Sequence, residues 1–202
     1  NCDMKAGHGG VVIGSEISGG VRNVFAENLR MSSPDLERAI RIKTNSVRGG
    51  LIEHLRYRDI TVGQVKDAIV INFYYEEGDA GSFDPTVRDI EISNLVCEQA
   101  DRVFQVRGFE RAPIRDFRMH NLEFRNADGR RIATPCENIV ISNCDMKAGH
   151  GGVVIGSEIS GGVRNVFAEN LRMSSPDLER AIRIKTNSVR GGVIEDRKST
   201  RL

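Results

Sequence analysis

Apolar residues recur along this chain in a nine-residue frame, at positions 1, 4, 6 and 9. The frame begins at Val21, Ile52, Val87, Ile114, Cys136 and Val163, in steps of 31, 35, 27, 22 and 27 residues. Asn or Asp usually fills position 8, as Asn94 does in the run from Val87 to Leu95. Shorter alternating runs lie between these frames: Val11-Val12-Ile13, Ile40-Arg41-Ile42, Ile69-Val70-Ile71, Phe104-Gln105-Val106 and Val153-Val154-Ile155. Period-two alternation bounded by Gly, Asn and Asp predicts short strands. A rung of this length, repeated many times, predicts a solenoid in which stacking creates one continuous core that no rung could bury alone. Two strand runs per rung, with no amphipathic helix, predict an all-β parallel β-helix. A leucine-rich repeat, whose consensus is partly imitated, would fill the rest of each rung with helix or turn.

A second, coarser repeat lies over the first. Residues 1–50 return unchanged as residues 143–192, at an offset of 142. After Glu195 the second copy leaves its template, reading Asp196-Arg197-Lys198-Ser199 where the first continues His54-Leu55-Arg56-Tyr57. Residues 196–202 resemble the translation of a short-read sequencing adapter and are set aside from the fold. The short strands also break step: none is apparent between Val106 and Ile155, which predicts a missing half-rung around Phe124 to Thr134. The chain therefore reads as a misassembled fragment. Residues 1–124 are C-terminal rungs, and 125–195 are upstream rungs that run into the repeat of the first block.

Composition narrows the partners. Lys and Arg number 29 against 28 Asp and Glu, a formal charge of +1, which gives no electrostatic reason to expect nucleic acid or an acidic membrane. No apolar run approaches a membrane span and the N-terminus does not read as a signal peptide. Cys2, Cys97, Cys136 and Cys144 show neither a CxxC pair nor ligand-like spacing to histidine, so they read as packing residues.

Two motifs carry candidate chemistry. On the strand Arg41-Ile42-Lys43, alternation turns Ile42 inward and sends both cations outward, about 7 Å apart. Such a pair can grip a carboxylate, Arg through its planar fork and Lys as a point charge. Outward strand positions are also charged simply because they are wet, and the tripeptide alone does not separate these readings. Gly7-His8-Gly9-Gly10 leads into the preceding short strand, where glycines permit close approach and the imidazole can take part in proton transfer. A histidine in such a turn can equally be a turn residue. Stacking nevertheless places His8 on the same outer face as Arg41 and Lys43. Tyr75, just beyond the short strand of the next rung, extends that stripe.

In this order and spacing, Gly-His-Gly, Arg-Ile-Lys and the run Ile69-Val-Ile-Asn-Phe-Tyr-Tyr75 resemble glycoside hydrolase family 28, the polygalacturonases. The resemblance implies a right-handed, single-stranded, pectin lyase-like β-helix and inverting hydrolysis of α-1,4-galacturonosyl bonds in pectin. It implies that His8, and His150 in the copy, support the catalytic acid. Arg41, Lys43, Arg183 and Lys185 would hold the uronate carboxylate, and Tyr75 would line the sugar site. The implied partner is acidic polysaccharide, with no metal or organic cofactor, in a secreted or periplasmic setting.

Inverting hydrolysis needs a carboxylic acid for the leaving oxygen and a carboxylate base for the water. The family carries its aspartates in Asn-Thr-Asp and Asp-Asp motifs upstream of Gly-His-Gly, and this chain contains neither. Segment 125–131 resembles the loop after the Asp-Asp strand, yet the strand before it, Arg118 to Phe124, has Glu123 as its sole carboxylate. Negligible hydrolysis is the expectation. The alternative is a non-catalytic β-helix module that binds acidic polysaccharide. A pectate lyase would want a calcium site of clustered carboxylates, which these rungs do not show.

Overall fold

The computed structural model describes residues 1–127, 132–133, 136–149, 151–156, 162–188, 191–195 and 198–200. Its strands, in chain order, are β1 (Cys2–Met4), β2 (Val11–Ile13), β3 (Val21–Met31), β4 (Arg38–Lys43), β5 (Leu51–Asn72), β6 (Thr86–Arg107), β7 (Ile114–Ala127) and β8 (Ile132–Ala133). They continue as β9 (Cys136–Ser142), β10 (Asp145–Met146), β11 (Val153–Ile155), β12 (Val163–Glu169), β13 (Ile182–Ile184), β14 (Ile194–Glu195) and β15 (Lys198–Thr200). No helix occurs among the described residues, and every ladder between named strands is parallel. This is a right-handed parallel β-helix, the hand in which parallel crossovers close.

The nine-residue frames stack in the expected register. Val21 pairs with Ile52, Ile52 with Val87, Ile114 with Cys136 and Cys136 with Val163. Positions 1, 4, 6 and 9 face inward, so that Ile52, Leu55, Tyr57 and Ile60 are each buried, as are Val87, Ile90, Ile92 and Leu95 above them. The short runs form their own column: Val11 pairs with Ile40, Ile40 with Ile69 and Ile69 with Phe104. Phe104 stacks on Phe117 at 5.3 Å inside the core.

Left-handed residues bend each rung. Position 8 is occupied by Asn28, Asp59, Asn94, Asn121, Asn143 and Asn170, all with φ between 52° and 57°. Position 3 repeats the device with Asn23, His54, Asp89, Asp116, Asn138 and Asn165, at φ from 51° to 58°. Asn and Asp tolerate this region better than other residues with a Cβ. Their side chains also bond along the stack: Asn94 donates to Asp59 at 2.8 Å, Asn121 to Asn94 at 3.0 Å and Asn165 to Asn138 at 2.9 Å.

The half-rung expected to be missing is present, reduced to the two residues of β8. Ile132 pairs with Val106 on one side and with Ile155 on the other, which carries the short-strand column across the interval. Backbone pairing needs no side-chain alternation, so a two-residue strand leaves no periodic trace. Lys198–Thr200, within the segment set aside above, pairs with Phe167–Glu169 along the edge of β12. An open edge accepts backbone of almost any sequence.

Candidate functional site

The Arg-Ile-Lys strand behaves as alternation requires. Ile40 and Ile42 are buried and Arg41 and Lys43 stand on the outer face, half-buried. Both cations lie over the ring of Tyr75, with Arg41 Cζ at 5.2 Å and Lys43 Nζ at 4.2 Å from its centroid. Burial, followed by the neighbouring Arg38, lowers the Arg41 guanidinium from its ordinary value. A guanidinium nevertheless keeps its charge in a protein. Among the described residues neither cation forms a salt bridge, whereas nearby Arg38, Arg48 and Arg102 each meet a carboxylate.

Tyr75 is placed by residues that the motif reading passed over. Thr44, Asn45 and Ser46 follow Lys43 directly and are fully buried. Asn45 Nδ2 donates to the Tyr75 carbonyl at 3.0 Å and to Glu77 at 2.7 Å, while its Oδ1 accepts from the amides of Val47 and Arg48. Ser46 Oγ accepts from the Gly81 amide at 2.7 Å. Arg111 from the next rung braces the far side of this loop through Asp79 and through Asp84 at 2.7 Å. The strand that carries the cations thus also anchors the loop that carries the ring.

His8 lies on the same face, one rung earlier, with its side chain 84% exposed and Nδ1 3.3 Å from Glu37 Oε1. Gly7 has φ of 111°, which glycine alone adopts readily, and a Cβ on Gly10 would meet Met31 Sδ at 2.6 Å and the Ala39 carbonyl at 2.9 Å. The glycines therefore serve the turn and the close stacking of this rung on β4. Glu37 also meets Arg38, which in turn lies 3.4 Å from the buried Asp67, and Asp67 is held from its other side by Arg102. Burial acts to raise the Glu37 carboxyl, but hydrogen bonds and charge from His8 and Arg38 outweigh it and leave the group lowered. Glu37 and Asp67 escaped the sequence reading because neither belongs to a motif it quoted. Only the rung-to-rung register brings them beside His8 and Arg41.

The copied cations keep the register but not the surroundings. Arg183 pairs with Val154 as Arg41 pairs with Val12, and the Lys185 amide donates to Ile155. Flanking Ile182 and Ile184 are 42% and 43% exposed, against 1% for Ile40 and Ile42. Tyr57, Tyr74 and Tyr75, the tyrosines of this sequence, all lie on rungs before Arg183 and Lys185. His150 lies outside the described residues. Among the described residues no three His, Cys, Asp or Glu side chains converge as metal ligands.

A shallow depression lined by Gly14, Ser15, Glu16, Ile17 and Lys43 opens beside this face. Chemically, the face offers two cations on an aromatic support that form no salt bridge among the described residues, an exposed imidazole at its edge, and carboxylates that are already ion-paired. It suits the binding of an anion better than the delivery of a proton.

Comparison with known proteins gives one consistent picture. The model of glycosyl hydrolases family 28 matches residues 1–131. The chain is 34% identical over 91 residues to a polygalacturonase of Ralstonia nicotianae, covering 44% of this chain and 17% of that protein. It is 25% identical over 134 residues to a probable polygalacturonase of Vitis vinifera, covering 64% and 27%. Among solved structures, a hyperthermoactive exopolygalacturonase from Thermotoga maritima aligns with a TM-score of 0.55 and 32% identity, over 67% of this chain and 31% of that one. The chain spans less than a third of the length of each of these relatives.

Proposed function

The chain belongs to glycosyl hydrolases family 28, and from that premise we propose that it binds galacturonan through Arg41, Lys43 and Tyr75 without hydrolysing it. The whole enzyme from which such rungs derive would cleave α-1,4-galacturonosyl bonds in pectin with inversion. One observation carries the binding half of this reading: two adjacent cations rest on a tyrosine ring instead of on carboxylates. The ring holds them by its quadrupole and leaves their charge available to a uronate carboxylate.

The carboxylates speak against hydrolysis. A general acid needs a carboxyl kept protonated near the working pH, and a base needs a free carboxylate beside the attacking water. Glu37 is pushed in the opposite direction by His8 and Arg38, and Asp67 is enclosed between Arg38 and Arg102. Glu123 lies on another part of the rung and is engaged by Arg125 and Lys147. His8 remains as an imidazole without the carboxylic acid it would support. In the same reading, 1–124 are C-terminal rungs, 125–195 are upstream rungs running into a repeat of the first block, and 196–202 are foreign to both; the unchanged return of residues 1–50 as 143–192 is what motivates it.

Two sets of cations predict one strong site and one weak one. In titration calorimetry with oligogalacturonates, replacing Arg41 and Lys43 together by Gln is expected to weaken the principal binding event by about 10- to 100-fold, since hydrogen bonds to charged groups contribute roughly 1.5–3 kcal/mol. The Arg183→Gln, Lys185→Gln pair is expected to leave that event unchanged. Equal losses from the two pairs would contradict the assignment.

A further inference from the structure

The tripeptide Phe73-Tyr74-Tyr75 divides its side chains three ways. Phe73 turns into the core and meets Phe109 edge-on at 5.5 Å. Tyr75 supports Arg41 and Lys43. Tyr74, 41% exposed, lies against Arg107 from the following rung, whose Cζ is 4.8 Å from the ring centroid. The edge of Phe109 fixes Tyr74 from the core side, with centroids 5.0 Å apart and planes at 82°. Asn72 sets the turn by accepting from the Tyr74 amide at 3.0 Å, and the Phe73 amide donates to the Arg107 carbonyl at 2.8 Å.

Arg107 thus repeats the chemistry of Arg41 and Lys43. It is an arginine on the outer face, half-buried, resting on a tyrosine, and it forms no salt bridge among the described residues. Its neighbours Arg102 and Arg111 show the other outcome, each matched to carboxylates. Register fixes its distance from the first site: Lys43 pairs with Asn72 and Asn72 with Arg107. Two strand spacings, roughly 9.6 Å, separate their backbones.

We infer that Arg107, supported by Tyr74, is a second carboxylate-binding position on the same face, engaged by an acidic sugar further along the chain than the one held by Arg41 and Lys43. This rests on the reading of that face as a galacturonan site and adds a dependence on polymer length. A short uronate reaches one position only. A longer one spans both, and the second contact then forms at high effective concentration.

The test is the affinity of the full chain for di-, tri-, tetra- and pentagalacturonate, measured by calorimetry on the unsubstituted protein, Arg107→Gln and Arg107→Lys. The unsubstituted chain should gain affinity steeply once the oligomer spans both cations. Arg107→Gln should bind the dimer normally and lose about tenfold on the longest oligomer, the effect of one charged hydrogen bond. Arg107→Lys should recover most of that loss, which a merely structural arginine would not allow. Unchanged length dependence in Arg107→Gln, or equal loss for the dimer and the pentamer, would overturn the second position and leave the first intact. Absence of binding by the unsubstituted chain to every oligomer would overturn both.

Discussion

Tyr75 holds Arg41 and Lys43 in place much as carboxylates hold the surrounding arginines, but it does not neutralise them. Cation–π contacts contribute about 0.5–2 kcal/mol, so Tyr75→Leu should weaken oligogalacturonate binding between about 2-fold and 30-fold, whereas Tyr75→Phe should keep most of it. Equal affinity in all three proteins, by calorimetry, would remove the ring from the site. Glu123 supplies a separate test through pH. Hydrogen bonds from Arg125 and then from Lys147 hold its carboxyl at about 2, below the free value of 4.5. A lowered carboxyl stabilises the fold above the free value, and that contribution disappears as pH falls through the folded one. Thermal unfolding should therefore show Glu123→Gln less stable at pH 6, with the difference shrinking between pH 4.5 and 2. A difference independent of pH would contradict this. At this scale Arg41 and Lys43 were legible because strand alternation alone orients them, and rung stacking already put Tyr75 on their stripe, while its role beside the sugar came only from the family resemblance. Asn45, Asp67 and the Tyr74–Arg107 contact were not legible, since rung-to-rung register rather than local pattern brings these residues together.

The rung owes its bends to the two columns of left-handed Asn and Asp. Asn94 combines φ of 53° with hydrogen bonds to both neighbouring rungs. A β-branched residue there is strained by about 1–3 kcal/mol and forfeits bonds contributing roughly 1 kcal/mol each. Asn94→Val should accordingly lower the urea unfolding midpoint by the equivalent of about 3–5 kcal/mol, and Asn94→Gly, which accepts the conformation, by clearly less. Matching losses would show that the bonds matter and the conformation does not. The position-8 column was visible in the sequence as a recurring Asn or Asp, although only the φ values explain it. The position-3 column was obscured because His54 stands in it beside Asn and Asp. The two-residue β8 was invisible for the opposite reason, being too short to alternate.

Across the whole molecule, the stacking that builds the core also aligns the outer faces, so each chemical group depends on the rung before and after it. The first copy of the repeated block receives Asp67 and the Tyr74–Tyr75 loop from the rung that follows, and beside the second copy's cations Ile182 and Ile184 are 42% and 43% exposed where Ile40 and Ile42 are buried. Identical sequence therefore gives unequal surroundings. The fold was legible because a solenoid repeats one local rule many times. The difference in surroundings between the two copies was not, because it depends on rung-to-rung packing. Affinity electrophoresis of the purified chain in a native gel containing polygalacturonate, afterwards stained for the polymer, examines binding and cleavage together. The chain should be retarded relative to a gel containing neutral galactan, and the polymer around its band should stay intact. A cleared zone at the band would show that the chain supplies the acid and base denied to it here, and migration equal in both gels would show that the cationic face does not bind galacturonan.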